Sequence, residues 1–577
     1  MKMIFRLIKP YWKTLSVSLT LKSIASLADL FLPFLIAYII DTEIPALKSE
    51  GTTSLITLYM LGGLMILIAL IGWVLNVFAN RTAEKIAADA IEGLRYDLFA
   101  KIESLSANQV DKITRPSLIS RMTTDTYNLY NATAMIQRLG VRAPVLLLGG
   151  IVMSLFLDPI LTLVMISMLP LILIVVYFVS RKGIPKYMKT QGFVDILIRT
   201  LREYVTGARV VRSLSMEEHE QERFDRANVD TVKAELDAHA VMARINPFMH
   251  AIMNVGLVVV LIVGAFRFSL GYTKIGQIMA FVTYFTIILN AMMSITRIFV
   301  VSSRASASAS RIDQILKMPK DIKDGYEKLV ADSSKPHIEF DKVSFSYEQK
   351  ENNLEDISFK INRGETLGII GATGSGKTTI INLLMRFYDV DSGAIKLYGQ
   401  DIRTLNQADL RRKIGVVFQN DLVFADSIYS NIQFNRDHIM NSDIEAATRI
   451  AQADFIYDKE HSFEHQMSQR GMNLSGGQKQ RILIARAVAG KPDLIILDDA
   501  SSALDYQTDS RMRQALKKEL KETTMIIIAQ RVSSLKDLDN IILIEEGKIV
   551  ASGTHDTLMK ESPMYQEIAY HQLGEEL

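Results

Sequence analysis

Long apolar runs fill the chain up to about residue 303, and beyond Ile338 they give way to short β-branched runs spaced by helical stretches. Crossing the hydrocarbon layer as a helix takes about 20 mostly apolar residues. Six segments meet that requirement, at roughly 15–40, 55–79, 137–157, 159–182, 247–269 and 276–302. The third and fourth are nearly continuous and break at Asp158-Pro159, a tight polar turn. The joins at Asp41–Thr53 and around Gly271–Lys274 are also short. The other two joins each run over fifty residues and carry dense charge at helical spacing, as in RTAEKIAADAIEGLRYDLFAKIESL and SMEEHEQERFDRANVDTVKAELDA. Such segments predict two helical hairpins that continue the membrane helices into water on one side. Their Lys and Arg content places that side, with both termini, in the cytoplasm.

The opening MKMIFRLIKPYWK alternates Lys2, Arg6, Lys9 and Lys13 with Phe5, Leu7, Ile8 and Trp12. That pattern suits a short helix on the inner membrane surface, and it has neither the apolar core nor the cleavage site of a signal peptide. Residues 304–336 lose apolar character and read as the end of the sixth helix followed by a linker. The expected division is therefore a membrane domain at 1–303, with cytoplasmic loops near 81–136 and 183–246, a linker at 304–336 and a soluble domain at 337–577. The fold class expected is an all-α six-helix membrane domain followed by an α/β domain.

The strand ending at Ile370 feeds into Gly371-Ala-Thr373-Gly374-Ser375-Gly376-Lys377-Thr378 and then a helix from Thr379. This is G-x-x-x-x-G-K-T in the strand–loop–helix setting that its chemistry requires. Backbone N–H groups of such a loop wrap phosphates, and the helix N-terminus adds its dipole. Lys377 is placed to reach the β- and γ-phosphates, and the Thr378 hydroxyl to bind magnesium. Leu494-Ile-Ile-Leu497-Asp498 is an apolar strand ending in a carboxylate, which assigns Asp498 to the magnesium. ATP and Mg2+ are the cofactors these elements imply. Between them lies Leu474-Ser475-Gly476-Gly477-Gln478, just before another helix, which reads either as a second anion-binding nest or as a plain helix cap.

Composition narrows the picture further. Hydrophobic residues make up 49% of the 577, and mean hydropathy is +0.17, high for a soluble protein of this size. A net charge of +2 gives no electrostatic footprint for nucleic acid. Without cysteine there are no disulfides and no thiol chemistry.

Taken together, the six spans, the P-loop and the LSGGQ sequence resemble the ATP-binding cassette (ABC) exporter family over essentially the whole length. The resemblance implies the type IV exporter fold and a dimer in which each ATP is held by one chain's P-loop and the other chain's Leu474–Gln478. It implies that Tyr347 stacks on adenine, that Gln419 touches magnesium, and that Ser502–Asp505 communicates across the dimer. The tips of the long hairpins, near Val110–Ile119 and Val205–Ser215, match the family's coupling helices.

Three departures from that family pattern stand out. The family's catalytic glutamate, after the magnesium aspartate, is Asp499 here. Losing a methylene retracts the carboxylate, and a misplacement of about 1 Å can cost around a hundredfold in rate. The family's histidine at the end of a later strand is Gln530, which can hydrogen-bond but cannot become cationic. Glutamates in the loop before the signature are replaced by Gln466 and Gln469. The expectation is a bacterial plasma-membrane heterodimer. Its second half-transporter supplies an intact glutamate and histidine, and this chain's own site is slow. Rival readings are an exporter or flippase for a dedicated lipid or peptide, and a nucleotide-sensing regulatory subunit.

For the cargo, Lys22 and Asp29 share one face of the first span and are expected to face the bundle interior or a wet cavity. Arg138, Arg142 and Arg297 are expected to snorkel. The sixth span offers Met279, Phe281, Tyr284, Phe285, Asn290, Met292 and Met293 as an adaptable surface, although half of these would face lipid or core on any reading. Resemblance to heterodimeric multidrug exporters makes small hydrophobic or cationic compounds the expected substrates, with Lys22, Asp29 and Asn290 as cavity candidates.

Overall fold

The computed structural model describes residues 2–46, 52–347 and 352–573, so part of the join between the first two spans (47–51) lies outside the described residues. Among the described residues, the α-helices of seven residues or more that precede the first strand are α1 (Lys2–Ile8), α2 (Trp12–Tyr38), α3 (Thr52–Glu103), α4 (Ala107–Ile113), α5 (Thr126–Leu157), α6 (Pro159–Ser213), α7 (Glu217–Met242), α8 (Ile245–Ser269) and α9 (Ile275–Leu316). Six helical stretches among them are long and apolar enough to cross a membrane. The chain forms two compact units. One contains the residues up to Glu103 together with Pro116–Met318, and the other contains Ser104–Arg115 together with the chain from Pro319 onward.

In the membrane unit, the charged segments continue the spans as rigid helices: α3 is 52 residues long and α6 is 55. The Asp158-Pro159 break is a built corner. Asp158 Oδ1 accepts the Ile160 and Leu161 N–H groups at 2.8 and 3.2 Å, which caps α6. Its Oδ2 accepts Arg267 Nε at 2.7 Å and the Thr273 hydroxyl. Asp41 caps α9 in the same way through the Gly276 and Gln277 N–H groups. The helix contacts follow the membrane rule of small residues at close crossings. A Cβ on Gly256 would sit 2.5 Å from the Phe285 ring, and Ala37, Ala143, Ala280 and Ala291 pack with Leu30 and Tyr284.

Several sequence expectations are corrected here. Phe281, Tyr284 and Phe285 are fully buried packing residues, and the Tyr284 hydroxyl donates to the Leu30 carbonyl at 2.7 Å. They present no surface to a ligand. Arg138 pairs with Glu84 at 2.7 Å and Arg142 with Asp29 at 3.1 Å; a carboxylate within reach outweighs snorkelling. Val205–Ser213 simply ends α6, and the second hairpin turns at Leu214–Met216 without a separate helix. The stretch 304–336 begins, as read from the sequence, with the end of the sixth helix: α9 runs to Leu316, with Ala305, Ser308, Ile312 and Ile315 buried.

The other unit holds two sheets. A four-stranded antiparallel sheet runs in the order β2-β1-β4-β5, from β1 (Ile338–Phe345), β2 (Leu354–Ile361), β4 (Ser392–Leu397) and β5 (Gln400–Asp401). The larger sheet runs β10-β9-β3-β8-β7-β6, from β3 (Thr366–Gly371), β6 (Ile414–Val417), β7 (Leu494–Asp498), β8 (Thr524–Ile528), β9 (Asn540–Glu545) and β10 (Lys548–Gly553). All its pairings are parallel except β9–β10. β7 and β8 are buried at every position, which is why both read as continuous apolar runs. In this order the carboxyl ends of β3, β8 and β7 lie side by side, where open α/β sheets place their ligands.

Candidate active site

The P-loop joins β3 to α10 (Lys377–Leu384). Its shape depends on glycine at two places. A Cβ on Gly371 would lie 2.1 Å from the Ile544 carbonyl oxygen. Gly376 has φ +101°, and a Cβ there would meet Leu354 Cδ2 at 2.6 Å. From the end of β7 comes Asp498, whose Oδ2 accepts the Thr378 hydroxyl at 3.2 Å. The next residue, Asp499, turns the chain at φ +50° and donates its N–H to the Ile528 carbonyl of β8 at 2.9 Å. Left-handed backbone is least costly for Asn and Asp among side-chain-bearing residues. β8 leads into Gln530.

These pieces enclose a cleft of about 280 Å3 lined by Thr373, Gly374, Gly376, Lys377, Thr378, Thr379, Gln419, Asp498, Asp499 and Gln530, together with Asn353 and the Ile528-Ala529 end of β8. The electrostatics of the cleft suit a triphosphate with a divalent cation. Lys377 Nζ rests on the Gly371 and Ala372 carbonyls at 2.9 and 2.6 Å, and burial holds its pKa below the usual lysine range despite Asp498 and Asp499. Burial raises the Asp498 pKa, Asp499's charge adds to that rise, and the Thr378 hydrogen bond opposes it. The Ser375 hydroxyl is buried without a partner. An anion would satisfy the ammonium and hydroxyl, and a divalent cation would relieve the carboxylates. Among the described residues no group of three acidic or histidine side chains forms a self-sufficient metal site. Thr378 and Asp498 are the groups of the cleft that would meet such an ion.

Other sequence-assigned residues lie elsewhere. Tyr347 does not line the cleft; it packs edge-on against Phe345 and Tyr388, with its hydroxyl bonded to Thr379 and Asn382. Leu474–Gln478 is also outside it. Ser475 caps α11 (Gly476–Val488) with a full capping box: its Oγ accepts the Gln478 N–H at 3.2 Å, and its own N–H donates to Gln478 Oε1 at 3.0 Å. Asp505 caps α12 (Tyr506–Glu519) through the Thr508 N–H.

Two residues that sequence reasoning passed over organise this region. Gln480 donates to the Ser502 hydroxyl at 3.0 Å and accepts the Ala503 N–H at 2.9 Å, tying the signature helix to the Ser502–Asp505 loop. Gln572 bonds the Val532 N–H and the Gln530 carbonyl at 2.7 and 2.8 Å, clamping the loop that carries Gln530. Neither has a local pattern that could have signalled it, because the partners lie 22 to 42 residues away.

Of the cargo candidates, Lys22 is buried and donates to Asn76 and Asn80 Oδ1 at 2.5 and 2.7 Å, so its charge is solvated within the bundle. Asp29 is held by Arg142, and Asn290 is exposed.

A membrane-spanning helical unit continuous with a P-loop cassette defines the class: a nucleotide-dependent membrane protein. Residues 15–292 match the family model for the ABC transporter transmembrane region, and residues 354–502 match the model described as ABC transporter. The chain is 32% identical over 571 residues to the ABC transporter ATP-binding protein YfiB of Bacillus subtilis strain 168, covering 99% of this chain and 98% of that one. It is 31% identical to YgaD of the same organism, named as a candidate multidrug export ATP-binding/permease protein, with 98% of each covered. It superposes on a bacterial Atm1-family ABC exporter solved with ATP bound, with TM-score 0.83, 23% identity and 99% of each chain covered, a likeness of fold. The chain therefore belongs to the ABC transporter family, as a half-transporter with membrane and ATP-binding regions fused.

Proposed function

We propose that this chain is one subunit of a heterodimeric, ATP-driven exporter of hydrophobic or amphipathic compounds. Its own site holds ATP and turns it over slowly, while Leu474–Gln478 completes the stronger site of its partner. The observation that carries this reading is the composition of the cleft. Thr373, Gly374, Gly376–Thr379, Gln419 and Asp498 gather the groups that would hold phosphate and metal, yet the two positions that activate water are Asp499 and Gln530. Bound Mg2+ would supply charge neutralisation between the phosphates. For its part, the chain cradles phosphate with the Gly371–Thr378 amides, presents Lys377 as a fixed cation, and orients the metal through Thr378 and Asp498. Asp499 is too short to draw a proton from water at full efficiency, and Gln530 donates a hydrogen bond without charge.

The signature residues Ser475–Gln478 lie outside the chain's own cleft, which supports their use by a second cassette. In this reading the cassette faces the cytoplasm of a bacterial cell, Tyr347 reaches adenine only with a nucleotide present, and Asp505 meets the partner. The multidrug name of YgaD supports drug-like cargo. Lys22 already has two amide partners, so cargo selection falls on exposed groups such as Asn290 and Met279 rather than on the first span. The test is to purify the chain alone and with a genomically neighbouring half-transporter, then measure ATPase and dye efflux in vesicles. Activity confined to the pair is expected; robust hydrolysis and efflux by the lone chain would sink the reading.

A further inference from the structure

A cleft in the membrane unit takes no part in the nucleotide chemistry. It measures about 680 Å3, within the usual range of small-molecule sites, and lies between α1, the start of α2 and α5. Phe5, Ile8, Trp12, Leu15 and Ile136 give it apolar walls, and Gly140 leaves space, since a Cβ there would meet only Ile136 at 3.5 Å. Arg6 and Lys9 line its rim; both are exposed, and neither is held in an ion pair among the described residues. Gln137, in the wall, is only 4% exposed. Its Nε2 donates to the Thr133 carbonyl at 3.1 Å while its Oε1 has no partner. A buried amide oxygen without a donor costs free energy until a ligand supplies one.

The setting is interfacial. Ile4 and Ile8 anchor α1 against Ile86, Ala132 and Ala305, while Phe5 and Trp12 remain 65% and 61% exposed beside the cations. Aromatic rings interleaved with basic residues on a short helix mark the head-group level of a bilayer. We propose that this cleft binds an anionic glycerophospholipid with a hydroxylated head group. Its acyl chains lie along the apolar wall, its phosphate sits between Arg6 and Lys9, and a head-group hydroxyl donates to Gln137. A neutral apolar compound would leave both cations and the amide oxygen unmatched.

The chain has two tryptophans, Trp12 in the cleft and Trp73 in α3. In a full-length Trp73→Phe background, Trp12 fluorescence reports on occupancy by lipids brominated on the acyl chain. Brominated phosphatidylglycerol is expected to quench at much lower mole fraction than brominated phosphatidylcholine. Arg6→Gln with Lys9→Gln should reduce that preference by roughly tenfold, since each interfacial cation contributes several-fold to anionic-lipid affinity. Gly140→Leu keeps every charge and fills the cleft, and should also remove the preference. Equal quenching by the two lipids would overturn the proposal. So would a preference that survives Gly140→Leu, which would mean attraction to surface charge alone.

Discussion

Asp499 and Gln530 are the two side chains of the cleft on which the proposed slow turnover rests, so exchanging them tests that proposal at the residue scale. Asp499→Glu with Gln530→His should raise the ATPase rate of the lone chain by roughly ten- to a hundredfold, the range for placing a general base and a polariser correctly. Steady-state phosphate release checks this, and no gain would show that something else slows the site. A second residue-scale prediction concerns His337. It stacks on Tyr398 at 4.4 Å, bonds Thr524 Oγ1 through Nδ1 at 2.6 Å, and is driven by burial to a pKa of about 4 from 6.5. The unfolded chain takes up that proton near pH 6.5, whereas the folded chain resists until near pH 4. The stability from keeping it neutral is therefore full above pH 6.5 and is lost as pH falls toward 4, roughly 3 kcal/mol at most. His337→Phe keeps the stacking and should flatten that part of the acid profile, read from denaturation of the full chain at pH 7 and pH 5.

Among the elements, the Asp158 corner carries the most concentrated burden. One buried carboxylate caps α6, pairs with Arg267 and accepts from Thr273, so three segments meet on two oxygens. Asp158→Ala removes the cap and leaves Arg267 without its anion, for about 3 kcal/mol or more. Asp158→Asn keeps an acceptor for the cap but loses the charge. Thermal inactivation half-lives of the purified chain should rank wild type, Asn, then Ala; equal half-lives would mean the corner is held by packing alone. The element α4 shows a different economy. Seven residues, capped by Ser106 and Gln109, group with the cassette unit, where Asp111 accepts the Tyr388 hydroxyl at 2.7 Å and Gln109 donates to the Pro319 carbonyl at 2.6 Å. A short amphipathic tip, too brief to be stable alone, is ordered by what it docks on.

At the scale of the whole molecule, the proposed asymmetry makes the two halves of each nucleotide site separable by mutation. Ser475→Asp preserves the α11 cap, since Asp is as good an N-cap as Ser, but sets a negative charge against the partner's phosphates. In the assembled complex it should lower hydrolysis by more than roughly tenfold, the scale for disrupting one preorganised anion contact. Lys377→Ala, which weakens only this chain's own site, should leave most of the turnover. Comparable losses from both would mean that the two sites share the work.

The six spans were determined by sequence alone, because a membrane helix must be apolar over its full length and must satisfy its own backbone. So was the P-loop, whose chemistry sits in eight consecutive residues, and so was the buried strand ending at Asp498, a continuous apolar run. Which polar side chains inside the bundle find each other was decided by tertiary structure. Lys22 meets Asn76 and Asn80, Arg142 meets Asp29, and Tyr284 meets the Leu30 backbone across separations of 54 to 254 residues, and no periodicity along one helix encodes the rotation of another. The same holds for Gln480 and Gln572, which set two loops of the cassette through contacts visible only once α11 and the helix Pro563–Leu573 have packed. Local chemistry is written contiguously in a chain; the partners that orient it are chosen by folding.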